Sequence, residues 1–187
     1  MSSSAAKSDS KPSKGRTHYN ARDKTLFAPT NEPISEKEAY LIFDYEPNKG
    51  GGDFGSLFNY GLDGKYIADE AGETAGRLLP RDSNGKRFSG YEDDQDAFRH
   101  ALGSYLLTQR FDAESAKDIT DRHERSPSGG FSPADRTEGL LQDLYNNRVG
   151  REAALNAKYK GRDPADVIME LYRSNKLQTR PFVLKKK

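Results

Sequence analysis

The 187-residue sequence has no cysteine and no tryptophan. Without cysteine there is no disulfide, no thiolate zinc site, no iron–sulfur ligation and no cysteine nucleophile. Histidine is almost as scarce. Of the three present, His18 falls in a Ser/Lys-rich start, so imidazole chemistry in a folded region rests on His100 and His123. Apolar residues make up 33% of the chain and charged residues 32%, with a mean hydropathy of -0.96. An ordinary globular domain is about 45–50% apolar with glycine counted in, so part of this chain is expected to pack no core. No run approaches the ~18 apolar residues that a membrane span needs. The opening MSSSAAKSDSKPSKGR lacks the apolar centre of a secretory signal peptide. Cytoplasmic residence, export by a dedicated secretion system and carriage in a phage particle all stay open. The length suits one domain with tails.

The net charge of +1 is unevenly distributed. Residues 1–25 carry +4 and residues 174–187 carry +5, which leaves -8 for the stretch between them. Such an acidic body is a poor polyphosphate binder, because phosphate contacts need Lys and Arg. Nucleic acid is therefore expected to be reached only through the basic ends, if at all. Residues 1–24 hold almost no large apolar side chains and read as a disordered basic tail, since nothing there offsets the entropy of ordering. The expected organisation is that tail, a helical domain over 25–178 and a basic C-terminal tail over 179–187.

Ser35-Glu36-Lys37-Glu38 is a capping box opening a short helix through Ala39-Tyr40-Leu41-Ile42-Phe43. Gly50–Gly52 breaks the chain. Phe54, Leu57, Phe58 and Tyr60 suggest a helical turn, and Tyr66 to Leu79 a helix interrupted by Gly72 and Gly76. A clearer helix runs from about Asp94 to Gln109 on the stripe Phe98, Ala101, Leu102, Tyr105 and Leu106, spaced for one face. Asp112 is placed to cap the next helix, which ends near Glu124. Ser132 and Pro133 start a third, with Leu140, Leu141, Leu144 and Tyr145 on its apolar face and Gly150 as its stop. Asp163-Pro164 starts a fourth that buries Val167, Ile168, Leu171 and Tyr172. The reading is a mainly α, single compact domain of five to seven helices, with strand signal only at 180–184.

The turn at Phe111-Asp112 is very short, which makes its flanking helices antiparallel neighbours. His100 and His123 are equally far from it and should lie level. His123 continues the stripe Ala116, Ile119, Thr120 and should point inward. His100 shares its face with Gly103 and Ser104, small residues that permit close approach. Asp143, Asn146 and Asn147 lie on one helix face, with Arg151 a turn later. Asp121 and Glu124 flank His123, and Glu92, Asp93, Asp94 and Asp96 cluster where a helix dipole favours negative charge. Singly, these carboxylates read as solvated or capping groups. Converging on the two imidazoles, they would match a hydrolytic metal site. Without metal, Asp143 could orient a general-base histidine. No P-loop, dinucleotide fingerprint, HExxH or EF-hand pattern is present.

Phe98-Arg99-His100-Ala101, then Tyr105-Leu106-Leu107-Thr108, His123-Glu124 and Asp143-Leu144-Tyr145-Asn146-Asn147-Arg148-Val149-Gly150-Arg151 resemble, in that order, a small α-helical domain of unknown function. That domain occurs in bacterial secreted and polymorphic-toxin-like proteins and in phage proteins. The resemblance spans about residues 92–155. Where the family usually has Met before the Asp, this chain has Gln142. The resemblance implies that these polar residues act together, in a toxin, effector or phage lytic setting. The expectation is a small helical hydrolase, metal-assisted and directed at the cell envelope or a small molecule. Its catalytic residues would be His100, His123, Glu124 and Asp143, with a divalent metal on His100, His123 and Asp143. Arg99, Asn146, Asn147 and Arg151 would position substrate, and an immunity or carrier protein would be its partner. The alternative is a non-catalytic binding or virion-associated module in which the same His/Asp/Asn cluster is a packing network.

Overall fold

A computed structural model describes residues 35–47, 62–125 and 133–184. The described residues form six α-helices and one short 3-10 turn, with no strand among them. They are α1 (Glu36–Phe43), α2 (Leu62–Leu78), α3 (Asp94–Arg110), α4 (Ala113–Arg125), α5 (Pro133–Leu155) and α6 (Pro164–Arg173), with the 3-10 turn at Ala157–Tyr159. The expected tail over 1–24, the Gly50–Gly52 break, the turn at 54–60 and the Ser132 cap lie outside the described residues.

Local chemistry explains most helix ends. Asp93 caps α3 by accepting the N–H groups of Gln95 and Asp96 at 3.0 and 3.1 Å. The Asp112 carboxylate takes Ser115 N–H at 2.8 Å at the start of α4. Asp163 takes Asp166 N–H at 3.0 Å, just ahead of Pro164 at the first position of α6.

Helix α3 is the hub, packed against α2, α4, α5 and α6. Its buried Phe98, Leu102 and Tyr105 meet Leu141, Leu144 and Val149 of α5 and Val167, Ile168 and Leu171 of α6 in one core. Each large apolar side chain buried there contributes about 1.5–3 kcal/mol. Tyr172, expected in that core, is partly buried and donates from its hydroxyl to Asp94 at 2.7 Å.

Two glycine expectations change. Helix α2 runs unbroken through Gly72 and Gly76, because one glycine costs a helix only about 1 kcal/mol. Helix α5 likewise does not stop at Gly150 but continues to Leu155. Gly150 marks where α5 crosses α3, and a Cβ there would run into the Ala101 carbonyl oxygen. Its function is close approach, not termination.

After α6 the chain turns back over α5. Asn146 donates its Nδ2 to the carbonyl of Gln178 at 2.9 Å and accepts Gln178 N–H at 3.0 Å. Within the stretch expected as a basic tail, Phe182 is buried with its ring 6.1 Å from both Phe43 and Tyr145. Residues 180–184 form no strand.

Candidate functional site

Because the α3–α4 turn is tight, the rings of His100 and His123 end level, with centroids 6.2 Å apart. Their surroundings differ. The His100 side chain is only 9% exposed, whereas His123 is exposed in the last turn of α4. His123 lies on the Ala116/Ile119/Thr120 face as spacing requires, but there the face reaches solvent. The inward orientation expected for it is not what the structure has.

His100 is surrounded by acids from three helices. Its Nε2 lies 3.3 Å from Asp143 Oδ1 on α5 and 3.4 Å from Asp96 Oδ1 one turn earlier on α3. Its Nδ1 lies 3.4 Å from Glu124 Oε1 on α4. Glu124 is held in turn by Asn147, whose Nδ2 donates to the same oxygen at 2.9 Å. Asn147 Oδ1 accepts the buried Ser104 hydroxyl at 3.0 Å. A polar chain Ser104–Asn147–Glu124–His100 thus crosses α3, α5 and α4.

Burial by itself would lower the His100 pKa, but the charges of Asp143, Glu124 and Asp96 outweigh it and raise it to about 10. The ring is therefore an imidazolium near neutrality. Burial would raise Asp96, but its hydrogen bond and charge pairing with His100, with help from Arg99 and Glu92 N–H, hold it below the usual range. Asp143 goes the other way. Burial, with the like charges of Glu124 and Asp96, pushes its carboxyl well above the ordinary value against the pull of His100.

Among the described residues, Asp96, His100 and Asp143 present ligand atoms all within 4.8 Å of one another, close enough to hold a metal ion. His123, expected as a ligand, is outside this set, and Asp96 takes its place. Sequence reading had grouped Asp96 with the capping acids. The signal for it was its i, i+4 spacing to His100. Asp96 and Asp121 are buried, not solvated.

The other expected residues separate by position. Arg99 belongs to the cluster: its Nη2 bonds Asp96 Oδ1 and lies 3.3 Å from His100 Nε2, where an ion on those two groups would sit. Asn147 orients Glu124. Asn146 is committed to Gln178 and Gln142 O. Arg151 is buried beside Thr120, to whose hydroxyl it donates at 3.2 Å; burial lowers its pKa to about 10 despite Asp121. Asn146 and Arg151 are thus engaged in contacts within the fold.

Two residues ahead of α3 border the cluster: Glu92, which the sequence groups with the capping acids, and Tyr91, which it does not single out. Glu92 adopts a left-handed φ of 49°, uncommon for a side chain of its size. Its carboxylate occupies the space a Cβ at Gly139 would need, one turn before Asp143 on α5. Burial, Glu92, Asp143 and Asp96 raise the pKa of the half-exposed Tyr91 to about 12. A non-glycine residue at positive φ leaves no trace in hydrophobic periodicity.

A family model described as a Domain of unknown function (DUF6973) matches residues 64–178. No curated protein and no solved structure matches the chain.

Proposed function

The chain belongs to the DUF6973 family, and from that premise we propose that its helical core carries a divalent-metal hydrolytic centre. The observation that supports this most is the division of labour around one imidazole. Nε2 faces the carboxylates of Asp96 and Asp143, and Nδ1 faces Glu124. A carboxylate on the far ring nitrogen is the usual way a metal-binding histidine is oriented. One nitrogen and two oxygens suit Zn²⁺ or Mn²⁺ and leave positions for water. Bound metal would acidify that water. Asp96, His100 and Asp143 would hold the ion, Glu124 would fix the ring, and His123 would stand at the solvent-facing rim. The setting implied by the resemblance belongs to the same proposal: an exported or phage-borne antibacterial protein acting on the cell envelope or a small molecule, with an immunity or carrier partner.

The test is a calorimetric titration of the full chain with Zn²⁺ and Mn²⁺, paired with release of soluble fragments from purified bacterial sacculi. Asp143→Asn removes one ligand and puts a neutral side chain of the same size where burial already favours the neutral form, so the fold should survive. One ion per chain in the native protein and none in D143N supports the metal centre. Equal binding by both, or no binding by either, overturns it. Metal-dependent fragment release supports the hydrolytic step, and bound metal with no release removes the envelope target.

A second reading has its own support. Arg99 already supplies a positive charge to Asp96, and Glu92 N–H donates to the same carboxylate at 2.7 Å. On that reading the cluster is a buried polar network that fixes the packing of α3, α4 and α5.

A further inference from the structure

The body of the chain is acidic, yet one edge carries cations that meet no carboxylate among the described residues. Between α2 and α3 the chain makes a small hairpin in which Arg81 and Arg87 form an antiparallel bridge. Asp82 N–H donates to Lys86 O at 2.8 Å beside them, so the pair is of the non-hydrogen-bonded kind, with Cα atoms about 4.5 Å apart and side chains on one face. Like charges placed opposite each other weaken a hairpin. Among the described residues neither guanidinium meets a carboxylate. Arg81 gives one Nη1 hydrogen bond to Gly85 O at 2.8 Å, and Arg87 has none.

Both arginines line a depression of about 460 Å³ shared with Phe88, Ser89, Gln95 and Gly76. The carboxylate behind Ser89 offers little competition. Asp93 is 9% exposed and accepts from Ser89 N–H, Ser89 Oγ, Gly90 N–H, Gln95 N–H and Asp96 N–H. Gly76 keeps the α2 wall low; even a Cβ there would only just reach Gln95 Nε2, at 3.9 Å.

We propose that this depression is a binding site for a dianionic phosphate group, held between the guanidinium groups of Arg81 and Arg87. Two forks of fixed donors match a tetrahedral oxyanion better than a single planar carboxylate. An anion between them also removes the repulsion that the bare hairpin carries. The site is separate from the His100 cluster and does not depend on metal there.

The test is an NMR titration of the full chain with inorganic phosphate, phosphoserine and acetate, following the amides of Phe88 and Ser89 and the Nε–H of Arg87. Expected is saturable binding of phosphate, about tenfold tighter than acetate, and lost by about tenfold or more in Arg87→Gln and Arg81→Gln/Arg87→Gln. Among the described residues the Arg87 side chain makes no hydrogen bond, and R87Q removes a like-charge pair, so the fold should be kept or slightly stabilised. Lys185→Gln/Lys186→Gln, in the basic C-terminal run, should bind as the native chain does. Phosphoserine binding as tightly as inorganic phosphate identifies a phosphomonoester ligand; phosphate alone identifies the free ion. Shifts that do not saturate, that persist in R81Q/R87Q, or that acetate reproduces equally overturn the proposal.

Discussion

His100 Nε2 lies 3.3 Å from Asp143 Oδ1, and the two groups share one protonation problem. The imidazole is driven toward its charged form by three acids, while Asp143 is driven toward its neutral form by burial and two of the same acids. Whatever the cluster does, its charge depends on pH.

Stability should therefore fall as the solution becomes alkaline. The folded-state pKa of His100, about 10, lies above the ordinary 6.5. Its contribution is fully present below about pH 6.5 and is lost as pH rises toward 10. The raised Asp143 carboxyl acts in the same direction. Urea unfolding across this range should show a slope approaching about 1.4 kcal/mol per pH unit. His100→Gln should be less stable near neutrality and should flatten the slope. An unchanged slope in H100Q would assign it elsewhere.

Metal and proton compete for His100 Nε2. Apparent Zn²⁺ affinity should rise by about tenfold or more per pH unit between about pH 7 and 9, with at least one proton released per ion bound. Calorimetry in buffers of different ionisation enthalpy counts the protons released. A pH-independent affinity would exclude His100 as a ligand.

Arg99 competes as well, since its Nη2 touches Asp96 and His100. Its side chain is 42% exposed, so little packing is lost on truncation. Arg99→Gln should tighten metal binding by about tenfold, through removal of a nearby positive charge. If the cluster is only structural, R99Q should lower stability and bind no metal.

Gly150→Ala should destabilise by about 1–3 kcal/mol, as an overpacked contact does, because its Cβ meets the backbone of Ala101 and not a yielding side chain. A shifted urea midpoint checks this. Neutral behaviour would mean that the α3–α5 crossing can open.

Gln142 is fully buried, and among the described residues neither its amide nitrogen nor its oxygen has a hydrogen-bond partner. Gln142→Met keeps the length and removes both orphaned groups. It should stabilise by about 1–3 kcal/mol, read as a raised midpoint of thermal unfolding.

The helices and their caps were legible because they depend on local rules. Asp112 and Asp163 cap where spacing placed them, and the tight turn at Phe111 fixed the level of the two histidines by counting alone. Gly150 was misread because local rules cannot distinguish a glycine that ends a helix from one that lets a helix touch another. Phe182 lay in a strand signal at 180–184 that the structure does not form, since a single ring in an irregular segment is buried only by what folds over it.

By itself the sequence determined which residues share a helix face and how far each stands from a turn, for both follow from the fixed rise and period of the helix. Only the packing of α3 against α4 and α5 decided that Asp96 and not His123 shares a centre with His100 and Asp143. Partners on different helices are chosen by how the helices cross, and the crossing is set by core shape and by glycines such as Gly150.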